Sequence, residues 1–278
     1  MNVGIGLPNA VPGTSGKTLL EWARRADESP FTSLGVLDRI AYDCHEPLTV
    51  LASAAAVTDR IRLATTVVIG PLRNTSLLAT QAASINSASD GRLTLGLAVG
   101  ARIEDYDAAA VSPRGRGERL TRQLVDLRMA WEGDSVGPSL AKAPQLLVGG
   151  ASDVAFQRAA RHADGYVHGG GPPRLFETAV EKARLAWEDA GRPGSPVIWG
   201  QGYFALGEDV AEAGRAYMLD YYAFTGPFAE RIAEGLLTTP QSVNQFVRDY
   251  AEAGCDELVL FPAVSDPQQI NRLSEVLT

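Results

Sequence analysis

Cysteine is almost missing from this chain: two residues in 278, Cys44 and Cys255, far apart and in no CxxC or Cys/His spacing. That excludes a disulfide scaffold and a cysteine-based metal site, and leaves two reduced thiols. Lysine is scarce too. Lys17, Lys142 and Lys182 fall on predicted loops or helices, so no strand end carries a Schiff-base lysine. Net charge is −8, pI is near 5.0, and no cluster of Lys or Arg is dense enough for a phosphate-backbone footprint, which removes nucleic acid as a partner. No apolar run approaches the ~20 residues that span a bilayer, and no basic leader precedes the first strand. A cytoplasmic protein with no membrane partner is expected. No GxGxxG follows the first strand, no Ser/His/Asp elbow stands out, and no metal ligand set is spaced for binding.

What the chain does have is 45% hydrophobic residues and a repeating strand and helix punctuation. The clearest unit is Ile61 to Gly100. Leu63 to Ile69 is a β-branched apolar run too short for a buried helix, stopped by Gly70-Pro71. From Thr75, Leu78, Ala82 and Ile85 recur at helical spacing, Asp90-Gly91 closes that helix, and Leu93 to Val99 is a second buried run. Strand, helix and strand joined this tightly make a parallel crossover.

The same reading gives strands at Val3–Leu7, Ser33–Leu37, Leu146–Val148, Asp164–Val167, Val197–Leu206 and Leu258–Phe261. Helices are expected at Lys17–Glu28, Pro47–Val57, Gly117–Trp131, Asp153–His162, Arg174–Ala190 and Asp266–Val276. Arg102 to Arg116 reads as irregular. The segment from Gly207 to Gly254 is too long for one crossover helix and contains Pro227 and Pro240, so it reads as two or three short helices forming a candidate lid. Eight such repeats predict an α/β (β/α)8 barrel, one domain over residues 1–278 with an insertion at about 207–254.

In such a barrel the interior is packed side chains and chemistry belongs to the carboxyl ends of the strands. That rule selects Asn9, Asp38, Arg39, Thr66 to Arg73, Gly100 to Glu104, Gly149 to Ser152, His168 with its glycines, and Phe261-Pro262. Gly149, Gly150, Ala151 and Ser152 lie between a strand and a helix amino end, where free N–H groups favour an anion such as a phosphate; the alternative, which the residues alone favour, is an ordinary tight turn capped by Ser152. Asp38 and Arg39 are the most polar pair at any strand end, as a site or as a surface ion pair. His168 reads either as a donor or general acid, or as a solvated loop residue. Glu104 and Asp105 read as caps or as partners of the arginines near Arg114 to Arg119.

The pattern RIRLATTVV…PLRNTSLLATQAASINSASDGRLTLGLAVG resembles the signature of the bacterial luciferase-like family of flavin- and deazaflavin-dependent oxidoreductases. DRI at 38–40, EPLTVLASAAAVTDRIRL at 46–63, RGERL at 116–120, LLVGGAS with AARHADGYV at 146–167, and AEAGCDELVLFP at 251–262 follow in family order. The resemblance implies FMN or the deazaflavin coenzyme F420 at the barrel mouth, used on a small organic substrate by hydride transfer or oxygen activation. It implies a non-proline cis peptide at Thr66-Val67 behind the ring, and the cofactor's phosphate near Gly149 to Ser152 with help from Gly100 and Ala101. The catalytic candidates are Asp38, Arg39 and His168, with Arg39 standing where some relatives carry histidine. Deazaflavin-dependent sugar-phosphate dehydrogenases place Glu after the strand-four glycine; Ala101 here argues against their chemistry. The stretch from Trp131 to Pro144 is short for the family. A homodimer is left open, and the alternative is a barrel that binds a phosphorylated metabolite without redox work.

Overall fold

The computed structural model describes residues 1–133 and 136–277. Eight parallel strands pair in chain order and close on themselves: β1 (Asn2–Gly6), β2 (Ser33–Val36), β3 (Arg62–Ile69), β4 (Leu93–Ala98), β5 (Gln145–Gly149), β6 (Gly165–Val167), β7 (Val197–Phe204) and β8 (Glu257–Pro262). Around them run α1 (Gly16–Asp27), α2 (Pro47–Ala55), α3 (Thr75–Ala88), α4 (Ile103–Ala108), α5 (Arg116–Glu132), α6 (Asp153–His162), α7 (Pro173–Asp189), α8 (Glu208–Tyr221), α9 (Phe228–Ala233), α10 (Pro240–Glu252) and α11 (Gln268–Leu277). This is the expected (β/α)8 barrel. Thr278, the last residue of the expected domain, and residues 134 and 135 of the stretch Trp131 to Pro144 lie outside the described residues.

The strands alternate side chains between two cores. Leu34, Val36, Leu95, Leu97, Leu146, Val148, Tyr166 and Leu258 face the helices. Leu37, Ala64, Leu147, Val167, Trp199, Tyr203, Val259 and Phe261 fill the barrel. Glycines make room on one side for bulk from the other. A Cβ on Gly6 would fall 2.1 Å from the Phe261 ring, and one on Gly35 would fall 2.7 Å from Val259 Cγ1. The alternation breaks once: the Thr66-Val67 peptide is cis and the β3–β4 register shifts between Thr65 and Val68, so Thr66 and Val67 both turn toward the barrel axis.

Helix ends follow local chemistry. Ser15 caps α1, Asn74 caps α3 and Ser152 caps α6, each accepting a first-turn N–H. Asp90 at φ 51° and Gly91 at φ 81° turn the chain from α3 into β4.

Three expectations need correction. The segment Arg102 to Arg116 is not wholly irregular, because α4 is wedged in by Tyr106, whose hydroxyl donates to the Val99 carbonyl at 2.6 Å. Asp105 does not pair with the arginines near 114–119; its Oδ1 accepts the N–H groups of Ile40 and Ala41, each at 2.9 Å. Third, the insertion between β7 and β8 is narrower than 207–254. Helix α10 belongs to the outer ring, packing against α7 and α11 and placing Phe246 and Tyr250 against the side-chain-free faces of Gly202 and Gly200. Only α8 and α9 are additions, and α8 spans a full 14 residues.

Candidate active site

Helix α8 lies across the carboxyl ends of the strands. Tyr217, Met218 and Tyr221 belong to the same apolar cluster as Leu37, Tyr203 and Phe261 of the barrel interior. Tyr42, from the loop after β2, meets Tyr221 edge-on at 5.4 Å and donates from its hydroxyl to Asp220 Oδ2 at 2.5 Å. On the other side the Tyr222 and Tyr203 hydroxyls are 3.0 Å apart. The inserted helix thus forms an aromatic cover, joined to the rim from two sides. Burial pushes the hydroxyl pKa of Tyr203, Tyr217 and Tyr221 upward, so these groups stay protonated donors.

Asp38 and Arg39, adjacent in sequence, part company here. The Asp38 side chain is fully buried, with Arg73 donating to both of its oxygens at 2.6 and 3.0 Å and the Ile69 N–H donating to Oδ2 at 2.7 Å. Burial raises its pKa against the pull of Arg73. The carboxylate is thus spent on fixing the carboxyl end of β3, and its ion pair is with Arg73 rather than with Arg39. Arg39 turns the opposite way, its guanidinium carbon 3.6 Å from the centre of the Tyr221 ring and within 5.4 Å of those of Tyr42 and Phe224. Asn9 is also occupied, donating to the carbonyls of Leu37 and His45 and accepting from the Leu37 N–H.

Thr66 and Val67 are brought together with Gly149. A Cβ placed on Gly149 would sit 3.4 Å from Val67 Cγ1 and 3.6 Å from the Ala98 Cβ, and one on Gly96 would sit 3.2 Å from the same Val67 atom. Gly96 and Gly149 thus make room for the Val67 side chain, and on Gly96 a Cβ would also fall 2.3 Å from the Thr65 carbonyl. Two buried polar atoms of the strands have no hydrogen-bond partner among the described residues: Thr66 Oγ1 on β3 and Gln201 Oε1 on β7, in residues 3% and 6% exposed. Each is a group that a bound molecule can satisfy.

The turn after β5 runs from Gly149 into the amino end of α6. Gly150 is at φ +137°, held by the Tyr166 hydroxyl donating to its carbonyl at 2.9 Å, and Ser152 accepts from the Ala155 N–H at the start of α6. Gly100 is at φ +70°, where a Cβ would meet Ile69 at 2.7 Å, and Ala101 beside it is exposed. His168 is not gathered into the mouth. Val167 faces the barrel interior, while His168 turns with Tyr166 to the helix side and meets Phe176 edge-on at 5.5 Å. Its Nδ1 is buried with no partner among the described residues, and burial lowers its pKa to about 4, so the imidazole is neutral at physiological pH.

Sequence reasoning missed Gln201; it included Arg73 and Arg102 only as members of the strand-end ranges Thr66 to Arg73 and Gly100 to Glu104, with no role, and it named a candidate lid without reading its aromatic lining. A signal for the cover was present, since three of the eight tyrosines fall within residues 217–222. A separate depression of about 410 Å³ lined by Leu124, Arg128, Met129, Arg161, His162 and Arg192 lies at the amino end of the strands, away from all of these groups.

Comparison with known proteins agrees with the barrel fold. An uncharacterised protein of Mycobacterium tuberculosis is 29% identical over 206 residues, covering 61% of this chain and 71% of that protein. An F420-dependent secondary alcohol dehydrogenase, solved with an F420–acetone adduct, superposes with a TM-score of 0.84 at 16% identity, over 99% of this chain and 97% of that one. The oxygenating component of the Pseudomonas putida 3,6-diketocamphane monooxygenase, solved with FMN, gives 0.74 at 17% identity, over 100% and 97%. At those identities the two structures speak for the fold. The luciferase-like monooxygenase family matches residues 1–272, nearly end to end, and the chain belongs to that family.

Proposed function

We propose that this protein is an oxidoreductase that holds FMN or coenzyme F420 with its ring against Thr66-Val67 and acts on a small organic substrate beneath α8. The observation that carries this reading is the pair of buried polar atoms with no partner among the described residues, Thr66 Oγ1 and Gln201 Oε1, in a barrel whose Gly96 and Gly149 make room for Val67. A flat heteroaromatic ring with a polar edge fits that donor and acceptor set. The cofactor, when bound, supplies hydride transfer, or oxygen activation if it is a flavin.

The chain's own part is binding, orientation and exclusion of water. The Gly149 to Ser152 turn and the amino end of α6 receive the phosphate, with Gly100 and Ala101 alongside. Asp38 and Arg73 hold the end of β3 where the ring rests. Arg39, Tyr221 and Tyr203 form the substrate side of the cover, dry enough to strengthen any polar contact made there. His168, neutral and on the helix side, is a packing residue in this scheme rather than an acid. Membership of the family gives no support to the alternative of a non-redox barrel for a phosphorylated metabolite.

The test is a fluorescence and absorbance titration of the purified protein with FMN and, separately, with F420. Binding of one of them with a dissociation constant below about 100 μM is the expected result. Failure to bind either would remove the redox reading.

A further inference from the structure

Arg39 is 8% exposed, and no carboxylate lies within ion-pairing distance of it among the described residues. A guanidinium cannot shed its proton, so a buried one without a counter-ion is costly unless something supplies the charge. Aromatic faces offset part of that cost, and Arg39 has Tyr221, Phe224 and Tyr42 around it.

A second arginine stands beside the same ring. Arg102, from the loop after β4, has its guanidinium carbon 5.7 Å from the Phe224 centre, where Arg39 is at 4.9 Å. Its Nη2 donates to the Ala41 carbonyl at 3.3 Å, while Nε and Nη1 are buried with no hydrogen-bond partner among the described residues. Glu104 approaches Nε only to 3.7 Å and is itself largely exposed. The other carboxylates nearby are committed elsewhere: Asp105 to the Ile40 and Ala41 N–H groups, Asp220 to Tyr42, Asp38 to Arg73. Two cations therefore flank the same Phe224 ring, Arg39 with no carboxylate within ion-pairing distance among the described residues and Arg102 with only the exposed Glu104 at 3.7 Å.

We propose that the substrate of this site is an organic oxyanion, a carboxylate in the first instance, whose charge is held by Arg39 and Arg102 and whose apolar body lies against Tyr221 and Phe224. The guanidinium fork matches a carboxylate edge with two parallel hydrogen bonds, which an ammonium does not do. The inference rests on the oxidoreductase reading for the word substrate; the anion site itself does not. The cofactor's phosphate is a second source of the same chemistry, but it has its own cradle at Gly149 to Ser152 on β5, whereas Arg39 and Arg102 follow β2 and β4.

The experiment compares phenylacetate and butyrate with their neutral amides, by thermal shift and by near-ultraviolet difference titration of the tyrosine cluster. Wild type should bind the carboxylates at least tenfold more tightly than the amides, and the preference should weaken with added salt. Arg39→Met and Arg102→Met should each bring the ratio close to one, and Arg39→Lys should retain part of it. If Arg39→Met fails to fold, Arg102→Met and Arg39→Lys carry the comparison. The same proteins are titrated with FMN and riboflavin. An unchanged FMN-to-riboflavin preference in Arg39→Met supports the substrate assignment; collapse of that preference would hand the two arginines to the cofactor and overturn it. Equal binding of carboxylates and amides by wild type would also overturn it. Loss of cofactor binding in wild type strikes the oxidoreductase reading and leaves the carboxylate ratio readable.

Discussion

Arg73 closes over Asp38 with both guanidinium branches, Nη1 at 2.6 Å from Oδ2 and Nη2 at 3.0 Å from Oδ1, while Oδ2 also accepts the Ile69 N–H at 2.7 Å. One buried carboxylate thereby joins the end of β2 to the end of β3, two residues beyond the turn at Val67. Asp38→Asn leaves Arg73 facing a neutral amide, with only half-exposed Glu46 at 3.1 Å to compensate. The expected loss is about 2–4 kcal/mol in urea unfolding at pH 7.5, with most of it recovered in the double variant Asp38→Leu/Arg73→Met. A purely catalytic aspartate would give full stability in Asp38→Asn.

The Tyr42 to Asp220 hydrogen bond ties the cover to the rim. Tyr42→Phe removes that charge-assisted bond and keeps the ring contact with Tyr221, so the cover should open more often without loss of the fold. A bond of this kind contributes about 1 kcal/mol, or roughly fivefold in the opening equilibrium. Trypsin cleavage at Arg215 and Arg231 should quicken by that factor, with the global melting temperature almost unchanged. Equal cleavage rates would mean that α8 is held by its apolar face alone.

Ala151 is exposed at the start of the phosphate turn. Ala151→Asp puts a carboxylate near the amino end of α6, which should stabilise the helix by about 0.3–1 kcal/mol through the dipole. The same charge repels a phosphate, so FMN should bind at least about tenfold more weakly, less so at high salt. Opposite signs for stability and binding are the signature. Gly150→Asp confounds the two, because at φ +137° its Cβ would also press to 2.8 Å from the Ala155 Cβ. Unchanged FMN affinity in Ala151→Asp would place the phosphate elsewhere.

His168 titrates near 4 in the folded protein and near 6.5 when unfolded, because burial penalises the imidazolium. Between those values the unfolded chain binds the extra proton, so stability is lost as pH falls from about 6.5 toward about 4. His168→Phe preserves an aromatic ring against Phe176 and removes the titration. The difference between wild type and variant in urea unfolding should therefore shift toward the variant from pH 7.5 to pH 5. A constant difference across that range would show that His168 is not buried as described, and would return it to consideration at the mouth.

Much of this protein was written in local patterns. Apolar runs such as Leu63 to Ile69, the caps Ser15 and Ser152, and the turn at Asp90-Gly91 specify strands and helices through neighbours a few residues away, and eight repeats of that punctuation define a barrel. The barrel rule then directs attention to strand ends and singles out Asp38, Arg39, Thr66, Val67 and Gly149 to Ser152. Their partners were not legible. Asp38 meets Arg73, 35 residues on; Asp105 meets the backbone of Ile40 and Ala41; Arg39 meets Tyr221, contributed by a helix inserted after β7. The side to which His168 turns depends on the pleat phase of β6, a strand of three residues too short to show alternation. Closure of the barrel decided these pairings, because bringing eight strand ends onto one ring makes neighbours of residues that no local spacing connects, and there burial and charge, rather than sequence order, select which groups pair.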